Sequence, residues 1–374
     1  MHVLLRPATA FAFVLCPATA ATQATTIHLR SRGTTLAHEF ERLSSARELE
    51  SGVLVAVDQG EGAIFRIDFG SNTVQQIGRK GGGPQEYGEL GRLNCASNDS
   101  SLIDDRQLGR WMLLKDDRIV SSEMIVDRFG YTPVLAGGDR FGRLLELRAL
   151  KYGQSPGLPR LEYPAAAESL LVIIDYRRGL QRDTVARVRG AFRGLKRLLK
   201  SVAPSESPIP WIVQNPFAIE EQAVLFCDGW IAIVRSNPYS IEWIGYPERR
   251  SISAALPFVK VRVGEVQMIA ATEAEHGRTI EPKELAPWPD FLPAFPKNAL
   301  FPLQDGRLAI RRIGEAGTPG TRYDIVDRTG RVSARLELKS GESVLTFGKE
   351  SVYVVSTDSD GVQTLTKYVW PAKP

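Results

Sequence analysis

The chain reads as an all-β protein, a six-bladed β-propeller with two insertions, and three observations carry that reading. A short apolar strand pattern returns six times along the 374 residues, most plainly from Asp228 to Arg235 and from Asp305 to Arg312. In the uninterrupted stretches it returns every forty-odd residues, the size of one four-stranded unit copied around an axis. Asp-Gly and Thr-Gly pairs, as at Asp228-Gly229 and Thr329-Gly330, separate the β-branched runs, which is hairpin chemistry.

Taken in order, the chain opens with residues that read as a signal peptide, 1–20. Arg6 closes a short positive start, an apolar run follows from Phe11 to Leu15, and Ala18-Thr19-Ala20 supplies small residues for a peptidase. Cleavage is expected after Ala20 or Ala21, leaving 21–374 as a single propeller domain in a secreted or periplasmic location. The apolar run is shorter than the roughly 20 residues of a spanning helix, and no later stretch reads as transmembrane. Cys16 as a lipid anchor is disfavoured by the bulky Leu15 before it.

The recurring strands start at Gly52, Asp99, Gly142, Gly229, Gly306 and Glu350, at intervals of 47, 43, 87, 77 and 44 residues, and are read as the innermost strand of each blade. Two intervals are nearly doubled. Residues 190–221 read as a helix and a Pro-rich loop, and 267–297 as a helix and a loop rich in proline and aromatics. These are the two insertions; an extra blade hidden in a long gap gives the alternative of seven. Further strands run over Ser240–Ile244, Tyr323–Asp327 and Val332–Leu338. The last, Thr364–Trp370, is expected to share a blade with an N-terminal strand around Ile27 to Phe40, which hides the edges of an open array.

Composition bounds the function. Hydrophobic residues make up 43% and charged residues 24%, which excludes general disorder. The 47 basic and 43 acidic residues are nearly balanced, so a nucleic-acid partner is not expected. Cys95 and Cys227 lie in different predicted blades and read as buried free thiols, with a bridge as the alternative. No Cys/His cluster has metal spacing. A monomer is expected.

The stretch Ile77–Tyr87, with Arg79-Lys80-Gly81-Gly82-Gly83-Pro84-Gln85-Glu86, resembles the glycine-rich turn of NHL-type six-bladed propellers, and Asp228–Ile244 resembles a blade of their secreted bacterial branch. The resemblance spans roughly residues 46 to 370, with Gln85 in place of a glycine and a degenerate second blade at Leu108–Trp111. It implies the fold. Function it leaves open, because such blades occur in binding scaffolds, lyases and hydrolases alike.

Candidate site residues come from the register. Six residues past the repeat starts stand Asp58, Asp105, Arg148, Arg235, Arg312 and Ser356, which in successive blades would ring one mouth of the channel. Arginine forks bind carboxylate or phosphate, so a small anionic molecule is the expected ligand. The competing reading gives Asp58 and Asp105 to tight turns and pairs the arginines with carboxylates such as Glu242 or Glu146. Gly81–Pro84 reads as a structural turn before a phosphate cradle. The segment Arg189–Val202, with Phe192, Leu195, Leu199 and Val202 on one helical face, reads as a helix packed over the propeller.

Catalytic material is thin: His28, His38 and His276 stand beside no nucleophile signature. The chain is therefore read as a module binding a small anionic ligand or an envelope protein, without a cofactor and more readily a binder than an enzyme. The alternative is a metal-dependent hydrolase or lactonase, in which Asp58, Asp105 and Glu146 would hold a hard cation such as calcium in the channel.

Overall fold

The computed structural model describes residues 24–29, 33–124, 134–149, 168–175, 177–189, 195–199, 210–217, 220–276, 281–285, 288–313 and 320–371. The signal-peptide reading falls outside them. The fold is set by strands that are apolar on both faces. Leu54–Asp58 is buried along its whole length: Leu54 and Ala56 enter one hydrophobic cluster, Val55 and Val57 the next. In Trp230–Ser236 the same alternation sends Ile231 and Ile233 one way, and Ala232 and Val234 the other. A sheet built on such strands needs a neighbour on each side.

Most of the described strands fall into antiparallel four-stranded units. The first holds Leu43–Glu48, Leu54–Asp58, Ala63–Asp68 and Thr73–Ile77; the second holds Leu90–Cys95, Ser100–Asp105, Arg110–Lys115 and Arg118–Met124. The third (Val134–Gly138, Arg143–Ala149, Glu168–Asp175, Gln181–Arg189) meets the fourth (Gln222–Leu225, Trp230–Ser236, Tyr239–Gly245, Arg249–Ile252) through a single pair, Gly137 with Leu225. The fifth comprises Leu300–Pro302, Leu308–Arg311, Arg322–Val326 and Val332–Glu337, and the sixth Glu342–Phe347, Ser351–Thr357, Gln363–Val369 and the N-terminal Thr34–Phe40. The first strands of successive units touch in a closed circuit, the sixth returning to the first. This is a β-propeller. The described residues contain no seventh unit of this kind.

The expected closure is present: Thr34–Phe40 pairs antiparallel with Gln363–Val369. Thr25–His28 pairs instead with Val332–Glu337 of the fifth unit, in parallel. The recurring sequence pattern marks the second strand of each unit, not the innermost as predicted. The reason is burial: second strands are enclosed on both faces and both edges and so show the purest apolar run. The turn leading into them is also repeated, with Gly52, Gly142, Gly229 and Gly306 at φ of 83°, 80°, 89° and 87°.

The insertions differ. The second contains the helix Glu265–His276 and a short 3-10 turn, Pro282–Leu285, as the sequence suggests. In the first, Leu195–Leu199 is not helical; it is a strand paired antiparallel with Pro210–Gln214. The β-branched and aromatic run Trp211-Ile212-Val213 offers a partner whose backbone hydrogen bonds outweigh the weak helical periodicity.

Cys95 and Cys227 are bonded, with Cα atoms 5.4 Å apart, in place of the free thiols expected. The bridge joins the end of the second unit's innermost strand to the first hairpin of the fourth. Reduction, or the double substitution Cys95→Ser with Cys227→Ser, is expected to lower stability by roughly 2–4 kcal/mol, read as a shift in the urea midpoint; an unchanged midpoint would show that the bridge adds nothing to stability.

Candidate functional site

Strand direction gives the propeller two unlike faces. The first hairpin of every unit lies on one; the second hairpins and the connections between units lie on the other. Both insertions, as connections from the third unit to the fourth and from the fourth to the fifth, therefore sit on the second face. They are joined there: Asn215 donates from its side-chain nitrogen to the Leu285 carbonyl at 3.1 Å, and the rings of Phe217 and Trp288 meet edge to face at 5.7 Å.

The six predicted site residues stand at or just beyond the ends of second strands on this face, one strand outward from the circuit that lines the channel. Asp58 is buried and accepts from the backbone N–H groups of Glu41, Arg42, Gly60 and Glu61. Asp105 is buried too, accepting from Gly88 N–H and Leu108 N–H and pairing with Arg110 at 3.3 Å. Both aspartates organise turns.

The arginines carry carboxylates. Arg148 pairs with Glu146 at 2.7 Å and keeps 39% of its side chain exposed. Arg235 lies between Glu221 at 2.6 Å and Glu242 at 2.5 Å. Burial opposes its charge, but hydrogen bonds and charges from Glu242 and Glu221 prevail, and its pKa rises. Arg312 pairs with Asp324 at 3.3 Å and lies over Tyr239, 4.7 Å from the ring centroid. Ser356 is half-buried opposite Thr364 and Glu342. The six are thus placed at equivalent ends of their units, with the arginines' charge compensated locally.

Two arginines on innermost strands were missed by sequence reasoning, because the repeat was keyed to second strands. Arg92 is exposed. The nearby Asp104 carboxylate instead takes Arg106 at 3.2 Å and the Arg92 backbone N–H at 3.0 Å, and the Arg92 guanidinium makes no hydrogen bond or ion pair among the described residues. Its pKa is lowered by loss of water, with Asp104 opposing and Arg106 reinforcing the shift. It stands near the start of the innermost strand Leu90–Cys95, toward the insertion-bearing face.

Arg47 is its opposite. It donates to the carbonyls of Ser97, Ser100 and Asn98 and lies 3.5 Å and 3.9 Å from the two bridge sulfurs. Burial lowers its pKa to about 10, against the raising effect of Asp99. Beside it the buried Glu48 accepts from Tyr353 O–H at 2.5 Å and Lys349 N–H at 2.9 Å, while Gln304 donates to the Glu48 carbonyl at 3.3 Å. These contacts tie the first, second, fourth, fifth and sixth units together at the centre of the hairpin face.

The glycine-rich loop holds its own anion. Glu86 accepts from Gly83 N–H at 2.8 Å and pairs with Arg79 at 2.8 Å, so its carboxylate fills the place a phosphate would take. His38 packs against Phe40 and Phe65, and the side chain of His276 lies outside the described residues. Among the described residues no three His, Cys, Asp or Glu side chains are gathered to hold a metal.

No protein-family model matches the chain, and no curated protein matches it. Among solved structures it is similar to a candidate exported protein from Bacteroides fragilis, with 11% identity over 93% of this chain and 99% of that one and a TM-score of 0.53. A DUF4221 member from Bacteroides vulgatus is similar at 8% identity over 91% and 98% of the two chains, TM-score 0.49. Virginiamycin B lyase from Staphylococcus aureus follows at 9% over 90% and 98%, TM-score 0.42. The likeness is one of fold. Among the described residues no helix is long and apolar enough to cross a membrane.

Substituting Arg235→Ala takes the ion-pair partner from buried Glu221 and one of two from Glu242, which keeps Arg250 at 2.6 Å, and is expected to cost roughly 2 kcal/mol in urea unfolding; a loss near zero would mean the pair is dispensable. Gly83 N–H first, then Arg79, hold the Glu86 carboxyl below its usual range. The folded value is depressed, so the anchoring of the loop is complete above the unfolded pKa and lost as pH falls through the folded one. A carbon-detected NMR titration of Glu86 is expected to give a midpoint below the ordinary value of about 4.3, and a midpoint at or above it contradicts the anchoring.

Proposed function

We propose that the protein is a secreted or periplasmic six-bladed propeller that binds a small anionic ligand at the channel mouth on the insertion-bearing face. One observation carries the reading: Arg92, on the innermost strand of the second unit, is an exposed cation without a side-chain partner among the described residues. An exposed guanidinium with Asp104 nearby but no ion pair of its own among the described residues is a ready bidentate partner for carboxylate or phosphate. Arg148, the most exposed of the three predicted arginines after pairing, is the best placed of them to assist. Arg235 and Arg312 support the frame. The secreted location rests on residues 1–20.

A protein partner is the second reading, favoured by apolar side chains left in water on the second insertion: Val259, Val266 and Phe291 are all exposed. The metal-dependent hydrolase has weaker support, since Asp58, Asp105 and Glu146 spend their oxygens within their own surroundings. Thermal shift against citrate, gluconate, phosphate and calcium decides among them. At least one organic anion or phosphate is expected to raise the melting temperature without metal, and Arg92→Ala to abolish the rise while leaving the unliganded melting temperature unchanged. A shift seen only with calcium would overturn the anion reading, and silence across the panel would favour a protein partner.

A further inference from the structure

A second cavity lies far from that mouth, on the hairpin face between the third and fourth units. It is an open depression of about 490 Å³, within the range of roughly 300–1,000 Å³ of small-molecule sites. We infer that it binds an acidic carbohydrate.

The cavity is built before any ligand arrives. Trp230, Tyr246 and Phe141, the last 43% exposed, supply its apolar surface. Two glycines make room for the lining: a Cβ on Gly245 would stand 2.9 Å from the Trp230 ring, and one on Gly229 2.4 Å from the Arg143 guanidinium. Arg143 lies over both Phe141 and Tyr246, 5.1 Å and 5.2 Å from the ring centroids, and is fixed by Asp139 at 2.7 Å. Arg328 pairs with Asp228 and lies 4.8 Å from the centroid of Trp230. Side chains already held in place lose little freedom on binding.

The unspent groups define the ligand. Arg177 is exposed, and its guanidinium donates to the Arg140 carbonyl at 3.3 Å. Arg140 is exposed as well and lies over Phe141 at 5.2 Å. Neither has a carboxylate partner among the described residues; Arg177 lines the cavity and Arg140 stands beside it, so the surroundings carry excess positive charge and attract an anionic group. Asp175 and Asp228 also line the cavity; Asp175 accepts from the Arg177 and Arg178 backbone N–H groups and Asp228 from Trp230 N–H and Arg328, and the lone pairs left on these carboxylates accept hydroxyl donors and repel a bare anion. The aromatic rings require a flat apolar face. A sugar ring bearing a carboxylate or sulfate offers all three together, whereas phosphate lacks the apolar face and an aromatic acid lacks the hydroxyls.

The test titrates trigalacturonate, a chondroitin sulfate disaccharide and neutral maltotriose into the protein, followed by calorimetry and tryptophan fluorescence. At least one acidic sugar is expected to bind, and maltotriose about tenfold more weakly or not at all. Arg177→Glu, on an exposed side chain, is expected to weaken the acidic sugar about tenfold or more, with Phe141→Ala acting in the same direction and Arg92→Ala without effect. The proposal fails if neither acidic sugar binds at millimolar concentration, if maltotriose binds equally, or if Arg177→Glu keeps its circular dichroism spectrum and leaves affinity unchanged. Loss of binding in Arg92→Ala would move the site to the channel. Should Phe141→Ala not fold, Arg177→Glu decides alone.

Discussion

Everything in this molecule follows from sheets that are apolar on both sides. A sheet with one dry face can end against solvent; a sheet with two cannot, and a row of them has no stable end until it returns on itself. The chain meets this requirement by lending its N-terminal strand to its last sheet, so that Thr34–Phe40 and Gln363–Val369 close the circuit. Hydrophobic clusters then fill every gap between successive units, each drawing alternate residues from the two sheets beside it.

The same constraint explains the chemistry of the two faces. A charged residue at the end of a strand enclosed on both sides must bring its counter-charge with it, as Arg235 does with Glu221 and Glu242. Innermost strands have a free edge toward the channel, and there Arg92 stays exposed with no ion pair among the described residues. On the hairpin face the order is reversed: Arg47, Glu48 and their partners occupy the centre, and the open space lies further out, between the third and fourth units.

Much of the fold was legible in the sequence, and the rest was hidden for identifiable reasons. The second strands and their turns stood out because complete burial enforces an unbroken apolar run, and because glycine is needed where the backbone takes φ near +80° to +89°. The closing strand was legible from its alternation at both ends of the chain. Strand rank was not, since Leu43–Glu48 mixes serine, arginine and glutamate whose partners lie in other units. The cationic stretch at Leu195–Leu199 fits a helical period, but its state was decided by a strand some fifteen residues away. Cys95 and Cys227 are brought together by ring geometry across an intervening unit, which local sequence does not encode. The arginines at 148, 235 and 312 stand at equivalent strand ends one strand outward from the expected ring, and the competing reading names Glu146 and Glu242 as partners; Glu146 shares a strand with Arg148, whereas Glu221 and Asp324 reach Arg235 and Arg312 only through the fold.

The disulfide has a further consequence when set beside the packing. Between the second and third units the described core is the smallest of all, with Trp111 and Leu144 its fully buried members and Leu102 and Leu135 beside them. The Cys95–Cys227 bond spans that seam by fastening the second unit to the fourth. A ring under load opens where cohesion is least, and here the joint with the smallest core among the described residues is riveted. In an oxidising medium the crack would have to start elsewhere; under reducing conditions it would start between the second and third units, making the redox state of the surroundings the factor that selects where this propeller first comes apart.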